Sequence, residues 1–179
     1  LRFLSSQYDA SVLGVSYRGY GKSEGQPTEN GLSLDAEAAL EYLLEKERVD
    51  VDRILIVSRS MGAAVGLKLA IDYSVPALCI ESTFTSLPDV AARHYPWFPV
   101  RLLMKNQFPS LSRISRYRGR LLQSHGSQDE LVPLSMAQEL YDAATCYKEF
   151  RVISNGTHNS PQSGQYYSLV DALITQVYD

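Results

Sequence analysis

The run Ile54-Leu55-Ile56-Val57, the pentapeptide Ser58-Arg59-Ser60-Met61-Gly62 and the apolar, helix-like run from Ala63 to Ile71 follow one another without a break. A short β-branched run reads as a strand, and the longer run after it reads as a helix. The five residues between must then make a sharp strand-to-helix turn. A serine at the apex of such a turn holds strained backbone angles and exposes its hydroxyl, the arrangement called a nucleophile elbow. The residues two before and two after it must be small. Gly62 meets that need fully; Ser58 meets it less well, because it carries a Cβ.

Working outward, strands and helices alternate along the chain. Ser11 to Tyr17 reads as a buried strand and Gly19 to Gly31 as a loop. A helix is expected from Ser33, with Ser33 as its cap, because Leu34, Ala38 and residues 40–44 carry an apolar stripe. Arg53 to Val57 reads as the second strand and Met61 to Tyr73 as the second helix. Further strands are expected at Ala77 to Ile80, Arg120 to Ser124 and Glu149 to Ser154, with helices at Pro133 to Ala144 and Gln165 to Tyr178. Residues 84–118 hold prolines at 88, 96, 99 and 109 and the aromatics Tyr95, Trp97, Phe98 and Phe108. That stretch reads as an excursion from the core, a candidate cap or lid. The alternation predicts an α/β fold: a mostly parallel sheet with helices on both faces, in one domain over residues 1–179. Ligands of such sheets bind beyond the carboxyl ends of the strands.

That rule selects partners for Ser60. Asp129 follows the strand at 120–124, and His158 follows the strand at 149–154, so both fall on the rim that carries the serine. A serine hydroxyl is a poor nucleophile until a histidine takes its proton, and a carboxylate holds that histidine in the right tautomer. The chain order Ser, Asp, His is the one that accompanies the elbow. Read singly, His158 is equally a turn histidine bonded to backbone, and Asp129 a capping carboxylate. His94 lies in the proline-rich excursion. His125, where a strand end meets a glycine, suits packing or a backbone bond, and Glu130 is a fallback acid. The backbone N–H of Met61, next after the nucleophile, would supply one oxyanion donor.

Composition narrows the field. The chain has 179 residues, 45% hydrophobic and 21% charged, with a net charge of −3. Nothing in that balance suggests nucleic acid as a partner, and the basic stretch Arg113, Arg116, Arg118 and Arg120 reads as a solvated segment. Cys79 and Cys146 lack metal-ligand spacing, which suggests a reducing, intracellular compartment with no metal, cofactor or disulfide framework. No apolar run is long enough to cross a bilayer, so membrane association is expected only through a segment upstream of Leu1. Oligomeric state is not legible. Gly19-Tyr20-Gly21 lacks the third glycine and helix start of a dinucleotide site.

Residues Val15-Ser16-Tyr17-Arg18-Gly19-Tyr20-Gly21-Lys22-Ser23-Glu24-Gly25, Arg59-Ser60-Met61-Gly62, Glu81-Ser82-Thr83-Phe84-Thr85-Ser86, Asp129 and Asn155-Gly156-Thr157-His158-Asn159 together resemble the α/β-hydrolase superfamily. More narrowly, they resemble the eukaryotic group typified by α/β-hydrolase domain-containing protein 13 and its bud-emergence relatives. The resemblance spans nearly the whole chain. It implies a serine hydrolase acting on an acyl ester, thioester or amide of a small or acyl-modified substrate, with Ser60 as nucleophile, Asp129 as acid and His158 as base. Ser58, Ser16 and Ser82 depart from the family's usual glycine, aspartate and asparagine. The family fold also begins with about three strands and a His-Gly loop that completes the oxyanion hole, and no such loop precedes Ser11. The strands at Ser11 and Arg53 are then expected to pair directly or leave exposed edges. The alternative reading is a catalytically silent or truncated α/β-hydrolase-like binding module.

Overall fold

In a computed structural model of the chain, residues 2–178 are described, and they form two compact units, Leu1–Arg48 and Val49–Asp179.

The larger unit is built on four strands, β1 (Leu55–Arg59), β2 (Ala77–Glu81), β3 (Arg120–Gly126) and β4 (Lys148–Ile153), in spatial order 1-2-3-4. Every pairing is parallel, with Ile56 opposite Leu78, Ile80 opposite Gln123 and Ser124 opposite Arg151. All four strands therefore end on the same rim. The expected strands appear with shifted ends: Arg53 closes a 3-10 turn, Val51–Arg53, instead of starting β1, and β3 runs on to Gly126.

Helix α3 (Met61–Asp72) follows β1 directly, α7 (Leu134–Ala143) follows β3, and α8 (Gly164–Tyr178) follows β4. Side-chain alternation assigns them to faces. Gly66 of α3 lies against Ile56 and Ser58, and the Gln123 amide donates to the Ala137 carbonyl of α7 at 2.6 Å. Ile56, Ser58, Ile80 and Gln123 share one face by register. Cys79 and Glu81 point to the other face, toward Tyr166 of α8. The sheet is thus covered on both sides, and β2 is buried along its whole length.

Residues 84–118 carry three short helices, α4 (Leu87–His94), α5 (Val100–Leu103) and α6 (Ser110–Ile114). Ser86 caps α4, its hydroxyl accepting from the Asp89 N–H at 3.2 Å, and Pro88 sits in the first turn, where no hydrogen bond is lost. Two backbone bonds tie the base of the excursion, Leu87 N–H to Gln107 O and Leu111 N–H to Thr85 O, both 2.9 Å.

The smaller unit corrects two expectations. Ser11 to Tyr17 is not a strand: it is an irregular connection after α1 (Arg2–Tyr8), with Val12, Leu13 and Val15 exposed. A strand is defined by its ladder, and among the described residues of this unit there is no second strand to pair with. Of the two expected outcomes, direct pairing or an exposed edge, the second is found: β1 is an edge strand of the described sheet. The second correction is the helix start. Helix α2 (Glu29–Glu41) begins four residues before Ser33, capped by Thr28, whose hydroxyl accepts from the Gly31 N–H at 3.1 Å. Ser33 is one turn inside, its hydroxyl donating to Glu29 O at 3.0 Å. Asp35 accepts from the Arg18 N–H at 2.8 Å and from the guanidinium Nε and Nη2 at 3.0 and 2.7 Å. These hydrogen bonds hold its carboxyl below the usual carboxylate range.

Candidate active site

Ser60 lies between the last residue of β1 and the first of α3 at φ 52° and ψ −124°, a region L-residues rarely occupy. Three hydrogen bonds pin it there. Its N–H donates to Glu81 O at 2.8 Å, and its carbonyl accepts from the Ala63 N–H at 3.0 Å and the Thr83 hydroxyl at 3.3 Å. β2 and the loop after it therefore hold the turn in its strained form. Met61 opens α3, so its N–H is one of the first-turn donors that a helix leaves without an internal partner.

Ser58 fits for a reason the pentapeptide does not contain. Its hydroxyl donates to Cys79 O at 3.3 Å, and α3 passes over it at Gly66. A Cβ on Gly66 would come within 2.6 Å of the Ser58 hydroxyl and 3.0 Å of its Cβ. The glycine usual at the first elbow position has in effect moved eight residues along, onto the helix. Gly62, the other small elbow residue, is the second residue of α3.

Asp129 sits in the loop after β3, 7% exposed. One oxygen, Oδ1, accepts from the backbone N–H groups of Leu131 and Val132 at 3.0 and 2.8 Å. The other, Oδ2, faces His158 Nδ1 at 2.8 Å and the Nε2 of fully buried His125 at 3.3 Å. His125 Nε2 also lies 2.8 Å from Val132 O, a pure acceptor, so that nitrogen carries the proton. Burial holds the His125 pKa below the ordinary imidazole value, partly opposed by the Val132 carbonyl and the Asp129 carboxylate. His125 therefore makes the expected backbone bond and, in addition, braces the carboxylate. Glu130 is exposed, and His94 lies at 3.0 Å from Leu131 O.

His158 follows β4, with Nε2 at 3.0 Å from the Ser60 hydroxyl and Nδ1 on Asp129. Serine, imidazole and carboxylate thus form one continuous hydrogen-bonded row. The loops bearing Asp129 and His158 are stitched together: Ser127 N–H donates to Ile153 O at 3.0 Å, and Gln128 N–H to Gly156 O at 2.8 Å. Gly126 permits that approach, since a Cβ there would run into the Gly156 and Thr157 backbone. Arg59, beside Ser60, donates from Nη2 to the His158 carbonyl and to Ser160 O at 3.4 Å. Sequence reasoning missed Arg59, Gly66 and the His125 contact. Only Gly66 had a sequence signal, a glycine one helical turn into an apolar helix.

Cys79 lies under α8 beside Glu81, and burial pushes its thiol up to about 12, which makes it inert as a nucleophile. Among the described residues no cluster of three His, Cys, Asp or Glu side chains could hold a metal ion, and no helix is long and apolar enough to cross a membrane.

A parallel sheet with helices on both faces, a strained serine between a strand and a helix, and a histidine and an aspartate on the same rim define the α/β-hydrolase class of fold. Comparison with known proteins agrees. The chain is 40% identical over 163 residues to an uncharacterized protein of Mycobacterium tuberculosis, covering 91% of this chain and 58% of the relative. It is 35% identical to the α/β hydrolase domain-containing protein WAV2 of Arabidopsis thaliana, covering 80% of this chain and 52% of that protein. With protein bem46 of Schizosaccharomyces pombe it shares 32% identity over 177 residues, 96% of this chain and 59% of that one. Among solved structures it is similar to an esterase of Pyrococcus furiosus, with TM-score 0.69 and 18% identity over 91% of this chain and 68% of the other. No family model matches the chain. The chain is thus similar to proteins named for the α/β-hydrolase domain, shares the fold of that class, and spans a little over half the length of WAV2 and bem46.

Proposed function

We propose that the protein is a serine hydrolase that cleaves an acyl ester, thioester or amide through an acyl-enzyme. The observation that carries this reading is the unbroken row Ser60 Oγ, His158 Nε2 and Nδ1, Asp129 Oδ2, at 3.0 and 2.8 Å. His158 takes the Ser60 proton as the hydroxyl oxygen attacks the acyl carbon, and Asp129 stabilises the imidazolium so formed. The tetrahedral oxyanion accepts from the Met61 N–H at the start of α3, where the helix dipole also favours negative charge. Collapse of this intermediate expels the leaving group, which takes the proton from His158. Water, deprotonated by the same imidazole, then attacks the Ser60 acyl ester and regenerates the hydroxyl. Homology to proteins named for the α/β-hydrolase domain, and a fold shared with an esterase, support hydrolysis as the reaction class. Residues 84–118 act as a cap beside the rim in this reading.

The test is turnover of a series of p-nitrophenyl esters of increasing acyl length. Wild-type protein hydrolyses at least one of them, and Ser60→Ala or His158→Ala lowers kcat by about 10⁶-fold. A folded wild type that turns over no ester, thioester or anilide at a rate above its Ser60→Ala variant is a binding module instead.

A further inference from the structure

Charge is divided very unevenly along this chain. Residues 90–128 hold seven of its 17 lysines and arginines and none of its 20 acidic residues, although the whole chain has a net charge of −3. The same segment carries the most exposed apolar side chains. Trp97 is 80% exposed, Leu102 87% and Leu103 59%, with Tyr95 and Phe98 each more than half exposed. They project from a fixed base: Val100 and Phe108 are buried beneath them, and the Leu87–Gln107 and Leu111–Thr85 backbone bonds close the excursion. The tip has internal order too. Tyr95 and Trp97 meet edge to face at 6.4 Å, and Phe98 N–H donates to Tyr95 O at 3.1 Å.

We propose that the tip from Tyr95 to Leu103 is a docking surface for an anionic phospholipid bilayer. Exposed aromatic and aliphatic side chains on a held loop suit insertion at the level of the headgroups, where Trp and Tyr are enriched. Exposed Arg93 and Lys105 flank them and complement the negative surface of an anionic leaflet, while Arg101 between them is paired with Asp89 at 3.0 Å. A soluble protein partner of ordinary composition would match the apolar side chains but give no account of Arg93 and Lys105 at the two ends of the patch. The sequence alone left membrane attachment to a segment upstream of Leu1; the tip offers a second route, independent of whether Ser60 is a nucleophile.

Trp97 is the chain's one tryptophan, so its fluorescence reports on the tip alone. Vesicles of phosphatidylcholine with phosphatidylserine shift its emission to the blue and carry the protein into the pellet, and added salt weakens the effect. Leu102→Ser with Leu103→Ser, or Arg93→Glu with Lys105→Glu, lowers partitioning by roughly tenfold or more, with circular dichroism and Ser60 labelling by fluorophosphonate unchanged. Unaltered Trp97 emission with both vesicle types overturns the proposal. So does emission that is already that of a buried indole before lipid is added, which assigns the patch to protein contact. Equal binding to uncharged phosphatidylcholine vesicles, insensitive to salt, overturns the assignment of the basic residues.

Discussion

Ser60 is held at φ 52° by its neighbours rather than by its own preference. The strain of such a residue is on the order of 1–3 kcal/mol, and glycine alone relieves it. Ser60→Gly is therefore expected to melt higher than Ser60→Ala, by about 1 kcal/mol after the glycine's extra unfolded-state entropy is counted; thermal unfolding of the two inactive variants measures this. In the proposed mechanism Arg59 is a positioning residue, since it reaches the His158 and Ser160 carbonyls and not the Ser60 hydroxyl or the imidazole. Arg59→Met should lower kcat by about 10–100-fold with little change in KM, as a base loop displaced by a fraction of an ångström would. Arg59→Lys should recover part of the loss. A fall confined to melting temperature would assign Arg59 to stability alone. His125 makes a pH prediction. Its folded pKa lies below its ordinary value, so the unfolded chain binds the proton more readily and stability falls as pH drops below about 6.5. His125→Gln, which can still donate to Val132 O, should flatten the melting temperature between about pH 6.5 and 5.

At the scale of elements, Gly66 and Ser58 form one unit. Gly66→Ala gains about 1 kcal/mol of helix propensity but drives a Cβ into Ser58 and Ile56, an overpacking cost of about 1–3 kcal/mol. The single variant should be destabilised, and the same change in a Ser58→Gly background should be closer to neutral. Equal effects in both backgrounds, measured by chemical denaturation, would contradict the compensation. β1 and β2 were legible because each opens on a short apolar run, and β2 is buried along its whole length. Ser11 to Tyr17 has the same composition and no ladder. Local pattern reports what a segment could do, whereas pairing is decided by whether a second strand exists to receive it. The start of α2 was misplaced because Thr28 caps through Gly31, a pattern that Gly19 to Gly31 hid among its turn formers.

At the scale of the molecule, much of the candidate site was readable because parallel topology converts chain order into position. Four strands ending on one rim bring Ser60, Asp129 and His158 together although 98 residues separate the first from the last. The supporting shell was not readable. Arg59, His125 and the Gly126–Gly156 contact act through loops whose approach depends on three-dimensional packing, and no spacing rule encodes it. The aromatic, proline-rich stretch was visible as composition, but the exposure of its tip required the fold. The central claim is that Ser60 is an activated nucleophile. The most direct measurement is to react the folded protein with a fluorophosphonate and map the adduct by peptide mass spectrometry. One adduct on Ser60, lost in Ser60→Ala and slowed by several orders of magnitude in His158→Ala, is the predicted result. No adduct on Ser60 in protein shown to be folded by circular dichroism would contradict the account.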